Sequence, residues 1–374
     1  TYPFQRERHW IDVPSAARPG AHRRASTGSH GGTHPLLGDR FSISTQPDAH
    51  FWEQSLNLAA LPYLKDHRVQ GEVVFPGTGY LEMVLAAATQ LKGHREFVLE
   101  GLRFERMLQL AAEAPPIIQT VLTAEGTHGI AVQIATLQEG KWVRHATGTV
   151  RWVSGAAMAE RASANLEEVK QRCENYRTTE NHYQRMRELE TDYGPSFQGV
   201  QELWVGRKEV LARVTFTRTV SSQVEQYQFH PAWLDACLHV AASALDVTGT
   251  ESLVPVAISR LTVQKPPTET AWVHAKVEQT EEGLALNLVV QSVDGRPILQ
   301  VDGMRIRRLK AESPIGIGGP EEWLYELQWH RQTAARPGLS SVSEQVNWLV
   351  FADQSEHGAA VVAALRQRGK RCVE

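Results

Sequence analysis

Apolar residues recur at helical spacing at two places in the chain, and each run follows a proline. The first run predicts a helix over about residues 78–92, with an apolar face made of Leu81, Val84, Leu85, Ala88 and Leu91. The second begins near Pro231 and has an apolar face made of Leu234, Leu238, Ala241, Ala242 and Leu245. Proline is tolerated at a helix start because its missing N–H would have no partner there. The pattern therefore predicts two apolar helices, one in each half of the chain.

Segments with β character surround both predicted helices. In the first half they span residues 40–45, 50–56, 97–110, 117–124, 130–137 and 142–153. In the second half they span residues 200–205, 209–216, 253–263, 270–279, 284–292 and 297–309. Charged helical patterns at 165–173 and 179–189 lie between the two sets. The halves repeat one order of elements, which favours two similar units that each wrap an antiparallel sheet around a helix.

Stretches rich in small, polar, glycine or proline residues are predicted to be connectors, at about 13–33, 154–164 and 310–320. They divide the chain into a linker, two folded units, and a final linker with the start of another subdomain: 1–33, 34–155, 156–310 and 311–374. In the last segment, 346–351 is predicted to be a strand and 358–369 an amphipathic helix. It has no glycine-rich dinucleotide fingerprint, so we predict no cofactor site in it. Because the chain starts at a threonine and stops in a helix-like pattern, we interpret it as a piece of a longer protein.

Composition narrows the possible functions. The net charge of −3 comes with 42% hydrophobic and 22% charged residues, and no basic run suggests a nucleic-acid partner. The sequence has neither an apolar stretch long enough for a membrane span nor a secretory pattern at its start. Cys173, Cys237 and Cys372 lack the spacing of a metal site or a disulfide framework. We therefore predict a cytoplasmic protein that binds neither nucleic acid nor membrane.

The segment that leads into the first helix combines an imidazole with a glycine-rich helix start. His67 lies upstream of Pro76, and Gly77 and Gly79 would let backbone amides approach a ligand. The helix dipole favours negative charge at the same point. This combination suits proton abstraction next to a carbonyl group. The alternative is that His67 is an ordinary surface or core histidine.

The second helix carries Asp235 and His239 four residues apart, so both side chains lie on one side of it. Upstream, Tyr193-Gly194-Pro195 predicts an exposed turn with the tyrosine at its edge. These residues leave two alternatives open. The carboxylate could simply be stabilised by the helix dipole with a histidine below it, and the tyrosine could simply pack at the domain edge.

Histidines also raise the question of metal binding. Four residues could be imagined as metal ligands: His67, His230, His239 and Asp235. No pair among them has the spacing of a metal site, so we predict no metal. Three other histidines fall within strand or helix patterns, and we interpret them as surface residues: His145, His182 and His274.

Two spacings resemble the motifs of a known family. His67-x-x-x-Gly71-x-x-x-x-Pro76 resembles the first motif of the dehydratase domains of modular type I polyketide synthases. His230-Pro231-x-x-Leu234-Asp235-x-x-x-His239 resembles their second motif, whose last position is usually glutamine and sometimes histidine. The segment 34–38 resembles the usual opening of these domains. Residues 1–10 and 322–329 resemble, respectively, the linker after an acyltransferase domain and the strand that begins a ketoreductase region.

The resemblance covers about residues 34–310 and implies an α+β double hotdog, in which each of two fused units wraps a curved antiparallel sheet around a long apolar helix. It implies dehydration of a 3-hydroxyacyl chain to the 2,3-unsaturated thioester. The substrate would be carried on the phosphopantetheine of an acyl carrier protein, with no other cofactor. The implied partners are that carrier protein, neighbouring synthase domains and a second copy of the chain.

The resemblance also implies residue roles. His67 would remove the α-proton, and Asp235, held by His239, would protonate or activate the β-hydroxyl. The amide of Gly77 is our candidate donor to the thioester carbonyl. Tyr193 would bind the hydroxyl or shape the pocket.

Other functions remain open at this point. A bifunctional dehydratase-cyclase or a double-bond isomerase would use the same His67 and Asp235, whereas an inactive structural domain would be expected to have lost one of them. A thioesterase on a hotdog scaffold would need an activated water. Positive charge at Arg103, Arg106 and 305–308 could attract a carrier protein, although a solvated strand face is the simpler interpretation.

Overall fold

The computed structural model describes residues 34–93, 97–125, 129–152, 165–245, 252–280, 283–309, 347–349, 356–369 and 371–373. The chain divides into two compact units, Thr1–Gly319 and Pro320–Glu374. Our predictions for 1–33, 154–164, 310–320 and 322–329 lie outside the described residues. Within those residues, no helix is both long and apolar enough to cross a membrane.

The larger unit consists mostly of antiparallel strands. Those of its first half are β1 (Asp39–Phe41), β2 (Ala49–Ser55), β3 (His67–Val69), β4 (Glu72–Val73), β5 (Phe97–Phe104), β6 (Ile117–Glu125), β7 (Gly129–Gln138) and β8 (Lys141–Trp152). Those of its second half are β9 (Asn175–Arg177), β10 (Thr191–Tyr193), β11 (Val200–Gly206), β12 (Glu209–Thr215), β13 (Ser252–Val263), β14 (Thr270–Thr280), β15 (Gly283–Ser292) and β16 (Pro297–Leu309). The helices are α1 (Gly77–Lys92), α2 (Leu166–Arg172), α3 (Thr179–Glu188), α4 (Arg218–Gln223) and α5 (Pro231–His239).

Thirteen of the described strands form one sheet, in the order β1-β2-β6-β7-β8-β5-β13-β16-β15-β14-β12-β11-β9. Strands of the first half occupy one side of this order and strands of the second half the other. The two sides join where β5 pairs antiparallel with β13, with Leu99 opposite Leu261. The two halves therefore share one continuous sheet.

Helix α1 is enclosed by the first half of this sheet. Every residue from Tyr80 to Ala88 is buried, as expected for a helix that is apolar around most of its circumference. Its side chains belong to the same hydrophobic core as Leu99, Ile118 and Ile134 on the surrounding strands. Each fully buried leucine of this helix contributes about 1.5–3 kcal/mol relative to an exposed one.

Helix α5 is the counterpart of α1 in the second half. All of its residues from Pro231 to His239 are buried, and they belong to the same core as Val210, Leu286 and Leu299. The two helices also contact each other. Two helices, each wrapped by half of an antiparallel sheet, form the double hotdog that we expected.

Some boundaries differ from the prediction. The apolar pattern extended the second helix to Leu245, but α5 ends at His239 and continues as a 3₁₀ turn, Val240–Ala244, against which β12 and β14 pack. The strand predicted over 97–110 ends at Phe104 as β5. Short elements with little periodicity, β9, β10 and α4, had no clear signal in the sequence.

The described part of the smaller unit contains β17 (Asn347–Leu349), α6 (Glu356–Gln367) and β18 (Arg371–Val373). The two strands are parallel, as a crossover through a helix requires. The predicted strand and amphipathic helix are therefore both present.

Candidate active site

His67 lies on a small sheet that joins the two halves. Strand β3 is its central strand, with β4 on one side and β10 on the other. A two-residue turn, Gln70-Gly71, closes the β3–β4 hairpin with both φ angles positive, at 52° and 81°. This geometry favours glycine, and it explains the glycine of the first motif. Across the other pairing, His67 lies directly opposite Tyr193.

Asp66 connects the base of this hairpin to the Tyr193-Gly194-Pro195 turn. Its carbonyl accepts a hydrogen bond from the Gly194 N–H at 2.7 Å, and its Oδ2 accepts one from the Ser196 N–H at 2.9 Å. A Cβ at position 194 would lie 2.5 Å from the Asp66 carboxyl, so a larger residue there would displace the side chain that makes this link. This link between the halves was not predicted, because nothing in the sequence pairs Asp66 with the distant turn.

The imidazole of His67 has a defined tautomer. His67 is 7% exposed, and its Nδ1 lies 2.9 Å from the carbonyl oxygen of Val74. Since a carbonyl can only accept, Nδ1 carries the proton and Nε2 keeps its lone pair when the ring is neutral. The ring packs against Tyr193 at 5.6 Å and Phe197 at 5.3 Å between centroids. His67 is therefore arranged to accept a proton at Nε2.

Asp235 lies in the middle of α5. The helix begins at Pro231, and the side chain of His230 caps it by accepting the N–H of Ala232 at 3.2 Å. Thr78, in the first turn of α1, donates to the Pro231 carbonyl at 3.0 Å and lies 3.5 Å from Asp235 Oδ1. The two helix starts are thus connected directly beside the carboxyl. Thr78 was not predicted, and its only signal in the sequence is a polar residue within an apolar helix.

The carboxyl of Asp235 is buried, and its hydrogen-bonding capacity is only partly used by the described residues. The side chain is 9% exposed, and Oδ2 is buried without a hydrogen-bond partner among the described residues. Burial raises the pKa of Asp235, while the charge of His67 and the hydroxyls of Tyr193 and Thr78 act in the opposite direction. A carboxyl that keeps its proton can serve as an acid.

His239 has a different environment from the one expected. We expected it to bind Asp235, but its Nδ1 lies 3.0 Å from Nε2 of His182, and its Nε2 lies 3.5 Å from the Phe197 carbonyl oxygen. Helix α3 and the turn after β10 supply these partners, which the sequence could not indicate. The ring stacks on Tyr193, with centroids 4.4 Å apart. In this structure His239 therefore contacts the site through Tyr193 and not through a hydrogen bond to the carboxyl.

These side chains border a cavity that contains about 660 Å³ of empty space, including its mouth. Five of its lining residues are polar: Thr78, Thr191, Tyr193, Asp235 and His239. The remaining lining is apolar apart from Gly77: Leu81, Phe104, Met186, Leu189, Leu238, Ala242, Leu253, Pro255, Ile258, Met304 and Ile306. His67 is not among the lining residues and reaches the wall through its contact with Tyr193. The cavity is suited to an apolar chain with a polar reacting end.

Two family profiles match the chain. The profile described as "Polyketide synthase dehydratase domain" matches residues 34–137, and the one described as "Polyketide synthase dehydratase N-terminal domain" matches residues 161–315. The chain belongs to the dehydratase-domain family of polyketide synthases. Dehydration within a synthase module is the general function of this family.

The relatives of this dehydratase domain are much longer proteins. "Phthioceranic/hydroxyphthioceranic acid synthase" of Mycobacterium tuberculosis (strain ATCC 25618 / H37Rv) is 28% identical over 344 residues, 90% of this chain and 16% of that protein. "Polyketide synthase GfsA" of Streptomyces halstedii is 30% identical over 357 residues, 92% of this chain and 4% of that protein. The chain thus spans less than a fifth of the length of these curated relatives.

Solved structures agree on the fold. The dehydratase domain from the CurF module of the curacin polyketide synthase has a TM-score of 0.69 and 28% identity, covering 74% of this chain and 99% of that one. The dehydratase domain of a mycocerosic acid synthase-like synthase has a TM-score of 0.68 and 24% identity, covering 76% and 100%, and supports the fold alone. The double hotdog is therefore confirmed.

The two glycines at the start of α1 have different roles in this dehydratase domain. Gly77 lines the cavity, and its N–H belongs to the first turn, whose amides lack partners within the helix. We expected Gly79 to approach a ligand too, but a Cβ there would lie 2.5 Å from the Phe75 ring, and its N–H donates to Pro76 at 2.8 Å. Gly79 is thus explained by close packing, and Gly77 alone borders the ligand space.

The three histidines that we placed on the surface are all buried or half-buried, so that prediction was wrong. His145 and His182 are 0% and 1% exposed. His145 bonds Thr136 at 2.8 Å, and His274 lies 2.7 Å from Glu209 Oε1. Each ring has polar partners from neighbouring elements that offset the cost of burial. Among the described residues, no group of three or more His, Cys, Asp or Glu side chains could bind a metal.

Proposed function

We propose that this domain removes water from a 3-hydroxyacyl thioester carried on the phosphopantetheine of an acyl carrier protein, giving the 2,3-unsaturated thioester. One observation carries the proposal. His67 and the buried carboxyl of Asp235 both adjoin Tyr193 at the cavity. The contact of His67 Nδ1 with the Val74 carbonyl leaves Nε2 to accept a proton, and burial raises the pKa of Asp235. Elimination of water needs one base and one acid of this kind.

The base in this proposal is His67. Its Nδ1–H is bound to Val74, so Nε2 removes the proton from the α-carbon, and the imidazolium that forms remains stabilised by that carbonyl. Negative charge then develops on the thioester oxygen. The Gly77 N–H, at the positive end of the α1 dipole, donates to that oxygen.

The acid in this proposal is Asp235. Hydroxide is a poor leaving group, so the carboxyl gives its proton to the β-hydroxyl as the C–O bond breaks, and water leaves. The electron pair of the α-C–H bond becomes the new double bond. His67 ends the reaction protonated and Asp235 ionised, and proton exchange with solvent restores both. Tyr193, next to Asp235 and opposite His67, is positioned to bind the hydroxyl.

Related solved structures support these two roles. They include inactive mutants of the CurK dehydratase, one with an aspartate replaced by asparagine and one with a histidine replaced by phenylalanine. Both are 26% identical to this chain. We assign the corresponding roles here to Asp235 and His67.

The proposed partners follow from the family. The relatives are multidomain synthases, so we propose that this domain works beside other synthase domains and receives its substrate from the carrier protein of its module. A homodimer is part of the same proposal.

The test uses the full chain and synthetic 3-hydroxyacyl thioesters of pantetheine, one of which carries a distal hydroxyl. We expect both to lose one water and give the open 2,3-unsaturated thioester, measured by mass spectrometry and NMR. If the second compound gives a cyclised product, the function is dehydration followed by ring closure and not simple dehydration. A shifted double bond would indicate isomerisation, and free acid would indicate a thioesterase. Return of both substrates unchanged would contradict the proposal and favour an inactive structural domain.

A further inference from the structure

A chain of three buried polar side chains extends from the site into the second half of the domain. Ser243 Oγ lies 2.9 Å from His182 Nδ1, and His182 Nε2 lies 3.0 Å from His239 Nδ1. The planes of the two imidazoles are nearly parallel, with centroids 5.1 Å apart and an interplanar angle of 20°, so the rings meet edge to edge as this hydrogen bond requires. His182 comes from α3, whereas His239 and Ser243 come from the end of α5 and the turn that follows it. None of the motifs found in the sequence includes His182.

The direction of this chain follows from its last member. His239 Nε2 faces the Phe197 carbonyl at 3.5 Å, and a carbonyl oxygen can only accept. Burial, followed by the nearby His182 and His67, lowers the pKa of His239 well below its ordinary value, so the ring is neutral and has one N–H. With that proton on Nε2, Nδ1 accepts, and His182 Nε2 must donate. Burial and the charge of Arg177 lower the pKa of His182 to about 4, so its Nδ1 accepts from Ser243.

The opposite direction is less favourable. If His239 Nδ1 donated to His182, its Nε2 would present a lone pair to the Phe197 oxygen. Two acceptors would then face each other at 3.5 Å without a proton between them, which costs free energy. The geometry therefore favours one order of donors, from Ser243 to His182 to His239 to Phe197.

The chain ends at the centre of the site. The ring of His239 stacks on Tyr193 with an interplanar angle of 26°, and Tyr193 in turn contacts His67. Asp235 lies one helical turn before His239 on α5. A change in the orientation of His239 would therefore change the position of Tyr193 between the base and the acid.

We propose that His182 is a positioning residue that fixes His239 as the Nε2–H tautomer and thereby fixes the Tyr193 ring beside Asp235. The effect on turnover rests on the dehydration proposed above, whereas the tautomer itself does not. His182 touches neither the substrate nor the reacting atoms in this account.

The first test is independent of activity. Nitrogen NMR of the imidazole side chains in the full chain separates the two neutral tautomers, with the His239 signal assigned by its loss in His239→Gln. We expect wild-type His239 to carry its proton on Nε2 at neutral pH. A proton on Nδ1, or a charged ring, would overturn the proposal even if dehydration is confirmed.

The second test measures kcat and KM for the pantetheine substrate. His182→Leu removes the donor, and we expect kcat to fall by roughly 10- to 100-fold with KM little changed, because small misplacements of reacting groups have effects of this size. His182→Gln places an amide N–H near the position of the lost donor and should recover most of kcat and the Nε2–H tautomer. Wild-type kcat in His182→Leu, or no recovery in a folded His182→Gln, would contradict the positioning role.

His145→Leu is the matched control. His145 is equally buried and equally bonded, to Thr136 at 2.8 Å and to the Arg106 carbonyl at 3.0 Å, but within the described part of the chain no hydrogen bond or ring contact joins it to His239 or Tyr193. It should lose stability as His182→Leu does while keeping kcat in its folded fraction. If both variants lost kcat equally, the effect of His182→Leu would be explained by general destabilisation and not by positioning. If wild type forms no unsaturated product, the proposed function fails, and the NMR result still decides the tautomer.

Discussion

Each of the two central helices contains a buried carboxyl group, and the two groups have opposite surroundings. Glu82 on α1 is 0% exposed and Asp235 on α5 is 9% exposed, and burial raises the pKa of both. Glu82 accepts the N–H groups of Gln228 and Phe229 at 2.6 and 2.7 Å and lies 2.8 Å from His34 Nε2. Asp235 lies beside the cavity with Oδ2 unpartnered among the described residues.

This difference separates a structural acid, Glu82, from the proposed catalytic acid, Asp235. Glu82, on α1, bonds to His34 near the start of the described region and to the segment that leads into α5. Its hydrogen-bonding capacity is thus used by other groups of the protein. Asp235 has capacity left for a ligand, in a place where a ligand fits. Burial and a raised pKa are therefore not sufficient to identify a catalytic acid, and the unused hydrogen-bonding capacity supplies the missing criterion.

The largest expected effect compares amide substitutions of the two acids. Asp235→Asn removes the proposed proton donor, and we expect turnover of the pantetheine substrate to fall by about 10²- to 10⁴-fold while the domain stays folded. Glu82→Gln should keep kcat close to wild type per folded molecule. Steady-state kinetics, corrected for the folded fraction by circular dichroism, gives the comparison. Similar losses in both variants would break the distinction between the two acids.

The next effect concerns stability. Glu82→Ala leaves the Gln228 and Phe229 amides and His34 without their acceptor, so we expect the free energy of unfolding to fall by about 3–5 kcal/mol, as when one partner of a buried pair is removed. Asp235→Ala removes a group with fewer bonds and should cost clearly less. Urea unfolding of both variants at neutral pH measures the difference. A larger loss for Asp235→Ala would reverse the assigned roles.

The smallest effect is a pH dependence. The folded state holds the pKa of Asp235 above its ordinary 3.8, so folded protein keeps a proton that unfolded chain releases. The stability that this retained proton provides is fully present below pH 3.8. It is lost as the pH rises toward the pKa of Asp235 in the folded state, by at most about 1.4 kcal/mol per pH unit. Asp235→Asn does not titrate, so its stability relative to wild type should increase with pH across this window. A difference that is constant with pH would mean that Asp235 has no raised pKa.

Much of the fold could be predicted from the sequence because its signals are local. The apolar repeat that defines α1 and the alternation in β6 and β7 gave bounds within a few residues of those observed. The end of α5 was predicted too late because Ala241, Ala242 and Leu245 continue its apolar helical pattern. In the structure the chain forms a 3₁₀ turn over Val240–Ala244, which packs against β12 and β14. That packing is not encoded in the segment itself.

The site was only partly predictable, for the same reason. Motif spacing identified His67 and Asp235 as candidates, and their catalytic roles remain predictions. Glu82, Asp66 and His182 were missed because each acts through a partner far away in the sequence. His145, His182 and His274 were placed on the surface because an isolated histidine in a sequence gives no sign of the bond that allows its burial. Partners of this kind become visible only when the chain is folded.

The most direct test of the central claim is the rate of water elimination by His67→Ala. The account predicts that this variant, folded as judged by its circular dichroism and melting temperature, forms the 2,3-unsaturated thioester at least about 10²-fold more slowly than wild type. Undiminished elimination by folded His67→Ala would contradict the assignment of the base.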